Sequence, residues 1–272
     1  ARSEMCIRDS VEAVHGRYPG TRRLVELLTA VLPYATPAAQ ADALVAHVQG
    51  HGALPPAHAF TATGAAPYVA FVIEQVLLAA PRRLYAQPAE RWALSAACIE
   101  FLDRCLAAFS LAPLDTKEAL AKHPGFDILR RLLSGSALLQ ELLVFVHPDP
   151  SLAGFEVVNQ DRAQTPEFAR AVRGVLRILL RVLDVQPLLL HTLLPAWSDA
   201  VVGDRAQLVP LEVHLLHAHQ VVVQLALYVN CIDADMAWLS VRLVSALART
   251  STFQDSDAFG PLRARTSMNR LA

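Results

Sequence analysis

Apolar residues return at intervals of three and four along most of this chain, the spacing that gathers side chains on one face of an α-helix. The clearest run is 88–109. Trp92, Ser95, Ile99, Leu102, Leu106 and Phe109 form one seam, and Leu94, Cys98, Phe101, Cys105 and Ala108 form a second, which leaves Glu100, Asp103 and Arg104 for water. A helix with two apolar seams must be covered on two sides, so it stands inside a stack of helices, with Trp92 as a buried pivot. Pro88 suits the first helical position, where its missing N–H has no intrahelical partner to lose. Glu90 in the first turn suits the helix dipole.

The same period predicts further helices on both sides. Leu24, Leu27, Leu28, Val31 and Leu32 make a stripe that Pro33 ends, and Thr36 with Pro37 opens a helix reaching about Gly50. Pro67 starts another, with Val69, Val72, Ile73, Val76 and Leu77 inward and an end before Pro81. A short helix is expected over 115–122. The chain then breaks at Pro124 and Gly125, and Ile128, Leu129, Leu132 and Leu133 restart the period. Ser134, Gly135 and Ser136 turn it into a helix with Leu138, Leu139, Leu142, Leu143 and Val146 on its inner face. Thr165 and Pro166 repeat the cap-then-proline opening for a helix to about Val185. A short helix over 188–194, a long one over 208–230 and a last one over 235–249 follow.

No alternating β-branched run bounded by hairpin turns occurs, so the fold is all-α. Helices joined by short turns, several of them apolar on more than one face, predict an α-solenoid of stacked antiparallel hairpins, HEAT- or armadillo-like with irregular repeats. Residues 50–66 and 147–165 carry no period and are expected to be long loops. Residues 1–10 resemble the translation of a transposase adapter used in shotgun libraries, with Met5, Cys6, Ile7, Arg8, Asp9 and Ser10 in its reading frame. They are therefore set aside as a construction scar, and residues 11–272 are read as part of one solenoid. A piece cut from a longer solenoid would expose the face its next repeat covers. Here that face is expected to carry Leu239, Leu243, Val244 and Leu247.

Composition narrows the functional classes. Hydrophobic residues make up 54% of the 272 residues, high for a soluble chain, yet the most apolar windows are interrupted. Arg173, Arg177, Arg181, Asp184 and Pro187 break 172–194, while Pro210, Glu212 and three histidines break 208–231, so neither offers the roughly 20 uninterrupted apolar residues of a membrane span. A net charge of −1 argues against a nucleic-acid surface built on bulk charge. Four cysteines without a secretory signal point to a reducing compartment. Cys98 and Cys105, two turns apart, read as small core hydrophobes, and Cys231 reads the same way.

Few groups offer chemistry. His214, His217 and His219, with His191 upstream, are the nearest approach to a metal site, but zinc sites of this kind usually pair such histidines with cysteines or a carboxylate at set spacings, the HExxH arrangement is absent, and a polar helix face is the better reading. Arg170, Arg173, Arg177 and Arg181 line one helix edge. That edge is either a solvated face or a seat for an acidic partner segment. Asp233 and Asp235, like Asp255 and Asp257, stand where carboxylates cap helix starts. Trp197 and Trp238 read as core or groove wall. There is no phosphate-binding glycine loop, no GxSxG and no paired catalytic carboxylate motif, so the chain reads as no enzyme and without a cofactor.

Several landmarks in order resemble a known family. They are Tyr18, Pro19, Thr21 and Arg22 before Leu24, Leu27 and Leu28; then Pro67, Tyr68, Val69, Phe71 and Val72; then Arg83, Tyr85, Glu90, Arg91, Trp92 and the Cys98–Phe101 segment. Gly125 and Phe126 follow, with Leu138, Leu139 and Leu142, then Leu176, Ile178, Leu179, Arg181, Val182, Leu183 and Gln186, and finally Tyr228, Val229 and Phe253. Together these resemble the giant α-solenoid scaffold nucleoporins of the nuclear pore inner ring, the larger of the two paralogous families. The resemblance implies an internal piece of a structural scaffold at the nuclear envelope. Its implied partners are other nucleoporins, whose short linker segments lie in its grooves, with no catalytic residue, nucleic acid, membrane span or small-molecule substrate. The competing reading from periodicity alone is a soluble HEAT-like transport receptor or another helical-repeat adaptor.

Overall fold

The structure is a computed structural model that describes residues 19–31, 68–85, 87–111, 124–146, 166–187, 189–190 and 208–250. The expected helices over 36–50 and 115–122, the loops 50–66 and 147–165, residues 1–10, most of 188–194, His191, Trp197, Asp255 and Asp257 lie outside these residues. Among the described residues every regular element is helical. The chain divides into two compact units, residues 1–131 with 197–203, and residues 132–196 with 204–272.

In the first unit, α1 (Pro19–Val31) packs against α2 (Pro88–Leu111). The face it turns inward is Val25, Leu28 and Thr29, which are one turn apart. The expected stripe is thus rotated, and Leu24 and Leu27 stand exposed. Thr29 takes the inward place because its hydroxyl donates to its own helix at Val25 O, 2.8 Å away, after which the side chain is buried as cheaply as a valine.

The second helix of this unit runs from Tyr68 and keeps all five expected positions, Val69, Val72, Ile73, Val76 and Leu77, fully buried. Over Val72–Leu77 it widens to a π-helix, closed by Leu78 N–H donating to Ile73 O at 2.9 Å. Pro81 then sits in a 3-10 turn, Ala80–Arg82, and both segments lie against α2.

Burial goes nearly all the way round α2. At about 100° per residue, the buried residues Leu94, Ser95, Cys98, Ile99, Phe101, Leu102, Cys105 and Leu106 form the two predicted seams, and Ala96 and Ala97 extend them. Asp103 joins the covered side at 8% exposure, because it lies near Ala96 on the ring and not beside Glu100 and Arg104 as the two-seam pattern implied. Trp92 is only half-buried, with the Arg91 guanidinium 4.7 Å above its ring, so it lies at the margin of the core.

Pro124 opens α3 (Pro124–Leu133) as its first residue. Its Asp127 holds Arg130 and Arg131 at 2.7 and 2.8 Å, and Arg131 also reaches Glu74 at 2.8 Å. The predicted inner face, Ile128, Leu129, Leu132 and Leu133, is fully buried.

The second unit begins at Leu132, at the end of α3, and the turn Ser134–Ser136 leads into α4 (Ala137–Val144), where Leu138, Leu139, Leu142, Leu143 and Val146 are buried as expected. The longest helix here is α5 (Pro166–Pro187), and α6 (Leu211–His217), α7 (His219–Tyr228) and α8 (Ala234–Ala248) complete the unit. α5 packs on α8 and α6, and α7 packs on α6 and α8.

The single long helix expected over 208–230 is two helices. Ala218 leaves helical geometry at φ −95°, ψ 60°, its N–H closing a short turn on Leu215 O at 3.1 Å. Its own carbonyl then receives Val221 N–H at 2.8 Å and starts α7 afresh. The break follows from tertiary ties on α6. Gln186, buried on α5, accepts Leu211 N–H at 2.9 Å and donates to the Glu212 carboxylate, doing for α6 the capping that Pro210 cannot. His214 reaches Leu133 O at 2.9 Å, the same carbonyl that accepts Val209 N–H at 2.9 Å. The His214 ring lies over Gly135, which is left-handed at φ 67°; a Cβ there would stand 2.8 Å from His214 Cε1.

Candidate partner-binding surface

α5 is apolar around almost its whole circumference. Phe168, Ala171, Val172, Val175, Leu176, Ile178, Leu179 and Val182 are buried on several sides, and the strip left partly wet is Arg170, Arg173, Arg177, Arg181 and Asp184. The predicted arginine edge therefore exists as one continuous feature. Arg170 is exposed, and Arg173, Arg177 and Arg181 are half-buried.

Arg173 also ties this edge to α8. Its Nη1 pairs with Asp233 Oδ2 while Oδ1 of the same carboxylate accepts Met236 N–H at 2.9 Å. Asp233 is thus the N-cap predicted from sequence, and it fixes one arginine in addition. Charge-assisted contacts of this kind hold the start of α8 against the middle of α5.

From Asp233 onward α8 has two faces. Met236, Ser240, Leu243 and Leu247 are buried, while Ala234, Trp238, Val241, Ser245 and Ala248 are exposed at the spacing of a second helix-packing seam. Trp238 is 62% exposed and Ile232, just before the helix, 75%. Trp238 therefore belongs to the surface, not the core. The apolar face open on α8 is also not the predicted one, since Leu243 and Leu247 point inward and Leu239 and Val244 are only partly exposed. Sequence reasoning placed the α8 seam on the wrong side because Met236, Ser240, Leu243 and Leu247 have the same period as the outer stripe and greater apolar mass. The signal for the outer stripe was Trp238 and Val241 standing three apart among small residues.

His214 is engaged with Leu133, and the α6–α7 break at Ala218 separates His217 from His219. Among the described residues no group of three or more His, Cys, Asp or Glu side chains is placed to hold a metal, and no helix is long and apolar enough to cross a membrane.

The thiols are unlike nucleophiles. Burial pushes Cys98 up to about 12, against a partial pull from the Arg83 charge, and burial raises Cys105 also. Cys231, expected in the core, is half-exposed and leans on Asp233 O at 3.2 Å, its thiol likewise raised by what burial it has.

A row of arginines on α5 and an exposed tryptophan on α8 suit contact with other chains. The family comparison decides what kind of chain this is. Residues 1–271 match the model of the family described as Nup192, nuclear pore complex scaffold, nucleoporins 186/192/205. The chain belongs to this family. Its similarity to the Nuclear pore complex protein Nup205 of Drosophila melanogaster is 33% identity over 81 residues, 29% of this chain and 4% of that protein. The chain thus matches only a small part of that relative's length. No solved structure matches it. Membership of the Nup192 family favours the scaffold reading over the soluble transport receptor, and the members of this family are nuclear pore components at the nuclear envelope.

Proposed function

We propose that this chain is a segment of the structural scaffold of the nuclear pore inner ring, where its helices form part of an α-solenoid and receive short linear segments of other nucleoporins. The observation that carries the reading is the match of residues 1–271 to the Nup192 family of nuclear pore scaffold proteins. The helix architecture supports it: α2 and α5 are covered on nearly all sides, as internal helices of a stack must be. In this reading the outer stripe of α8, with Trp238 and Val241, is where a neighbouring helix of the longer protein lies. The edge from Arg170 to Arg181 attracts acidic stretches of linker nucleoporins, adding association rate and salt sensitivity more than affinity.

Two measurements test this. A fluorescently tagged chain in cells is expected at the nuclear rim, and a diffuse distribution counts against the scaffold role. Labelled linker-nucleoporin segments titrated against the purified chain are expected to bind with a salt-dependent on-rate that falls in an Arg170→Glu, Arg177→Glu variant. Absence of binding at high micromolar concentration removes the arginine edge from the proposal and leaves the family membership standing.

A further inference from the structure

The outer stripe of α8, Ala234, Trp238, Val241, Ser245 and Ala248, advances by alternate steps of four and three residues. That is the a and d spacing of a coiled coil, along which a second helix keeps contact for the full length of the first. The opposite side of α8, Met236, Ser240, Leu243 and Leu247, is already buried within the unit. At about 100° per residue the two margins of the stripe differ in character. One holds Ala237 and Val244, apolar and partly exposed. The other holds Asp235 and Arg242, both exposed, with Arg249 a further heptad along.

The charged margin discriminates between occupants. Asp235 and Arg242 are of opposite sign and one heptad apart, about 10 Å along the helix axis. An antiparallel copy of the same helix is related to the first by a two-fold axis normal to the pair, and that axis keeps each margin on its own side. In the register that sets Trp238 opposite Val241 of the second copy, Ala234 falls opposite Ser245, and the stripe meets itself without a charge in the seam. The same register brings Asp235 opposite Arg242 of the second copy, and by symmetry Arg242 opposite Asp235. On the other margin Ala237 falls opposite Val244. A parallel pair would instead set the charged margin against the apolar one and leave both charges without a partner.

We infer that the outer face of α8 pairs two copies of this chain, helix against antiparallel helix, with an Asp235–Arg242 bridge on each side of a Trp238–Val241 centre. The inference rests on the open stripe and its charges, not on the scaffold role. A 15-residue helix is about 22 Å long, and one helix-on-helix contact of this length stands at the low end of interface sizes, so the pair is weak and forms at about micromolar concentrations or above. A neighbouring helix of the longer protein competes for the same stripe, so the pair forms where that helix is absent or displaced.

Sedimentation velocity of the whole chain across the micromolar range is expected to show a monomer passing to a dimer. Asp235→Arg and Arg242→Asp each place like charges on both sides of the pair and are expected to weaken it by about tenfold or more. An equimolar mixture of the two variants is expected to recover the dimer, because each copy then offers what the other lacks. The double variant Asp235→Arg, Arg242→Asp is expected to pair with itself again. Recovery on mixing also shows that both single variants are folded. A chain that stays monomeric throughout overturns the inference, and so does self-association that ignores the single changes or fails to return in the mixture.

Discussion

Replacing Gly135 by alanine is expected to destabilise the second unit through one ring, that of His214. The turn after α3 requires a left-handed residue, and Gly135 supplies φ 67° with its N–H on Leu132 O at 3.2 Å. A non-glycine residue in this conformation costs about 1–2 kcal/mol. The added Cβ would also lie 2.8 Å from His214 Cε1 and 3.2 Å from Nδ1, closer than side-chain atoms pack. The ring must therefore tilt and weaken its 2.9 Å bond to Leu133 O, at about a further 1 kcal/mol for a lost hydrogen bond. The sum is about 2–3 kcal/mol in the parent. In a His214→Ala background the ring is gone and only the backbone cost of about 1–2 kcal/mol remains. Urea unfolding of the four proteins of this cycle, followed by far-ultraviolet circular dichroism, measures the coupling. Gly135→Asn in the parent separates the two effects, because asparagine tolerates the left-handed region but still carries the Cβ. Equal costs of Gly135→Ala with and without His214 would refute the reasoning, as would an asparagine variant as stable as glycine.

Asp127 is expected to give the protein an acid-sensitive contribution. Burial alone would raise its carboxyl, but hydrogen bonds from Arg130 and Arg131 and their charges hold it below the ordinary 3.8. The unfolded chain thus takes up this proton first, so the contribution is full above about pH 4 and fades as pH falls through the folded value; Asp127→Asn should flatten stability against pH in that range, and an unchanged slope contradicts the assignment. Gln186→Ala is expected to cost about 1–3 kcal/mol by leaving Leu211 N–H and Glu212 without their partner, read by urea unfolding, and a loss below about 0.5 kcal/mol would deny Gln186 its capping role. Cys98 and Cys105 are expected to resist a thiol reagent until the protein unfolds, while half-exposed Cys231 reacts in the native state; fast native modification of either buried thiol would contradict their burial. Trp238→Gln is expected to leave stability within about 0.5 kcal/mol and to weaken any self-association seen by sedimentation, since the indole is largely exposed.

Much of the fold was legible because the helical period survives in single stretches of sequence. Val69 to Leu77, Ile128 to Leu133 and Leu138 to Val146 were each placed on the correct face. What the pattern could not carry were facts that depend on a second segment. The stripe on α1 was rotated because Thr29, polar in sequence, becomes apolar once its hydroxyl folds back on Val25. The break at Ala218 has no proline or glycine to announce it. It follows from Gln186 and His214 fastening α6 to residues 25 and 81 positions away. The alignment of Arg170, Arg173, Arg177 and Arg181 along one helix edge was legible, since a polar strip on an otherwise apolar helix shows in the period alone. Its tie to Asp233 was not, because nothing local joins residues 60 positions apart.

The helix ends of the second unit are closed by one another's side chains: Gln186 of α5 at the start of α6, His214 of α6 at the end of α3, and Asp233 between α8 and α5. A seven-residue helix such as α6 has no independent existence in water, being well under the length at which isolated helices persist. It exists only on a template of Leu133 and α5, so it is expected among the last parts to form and cannot fray alone without releasing these ties. Hydrogen exchange should accordingly show the amides at Leu211 and in the turn after Leu133 opening together, in one event rather than as separate local fluctuations.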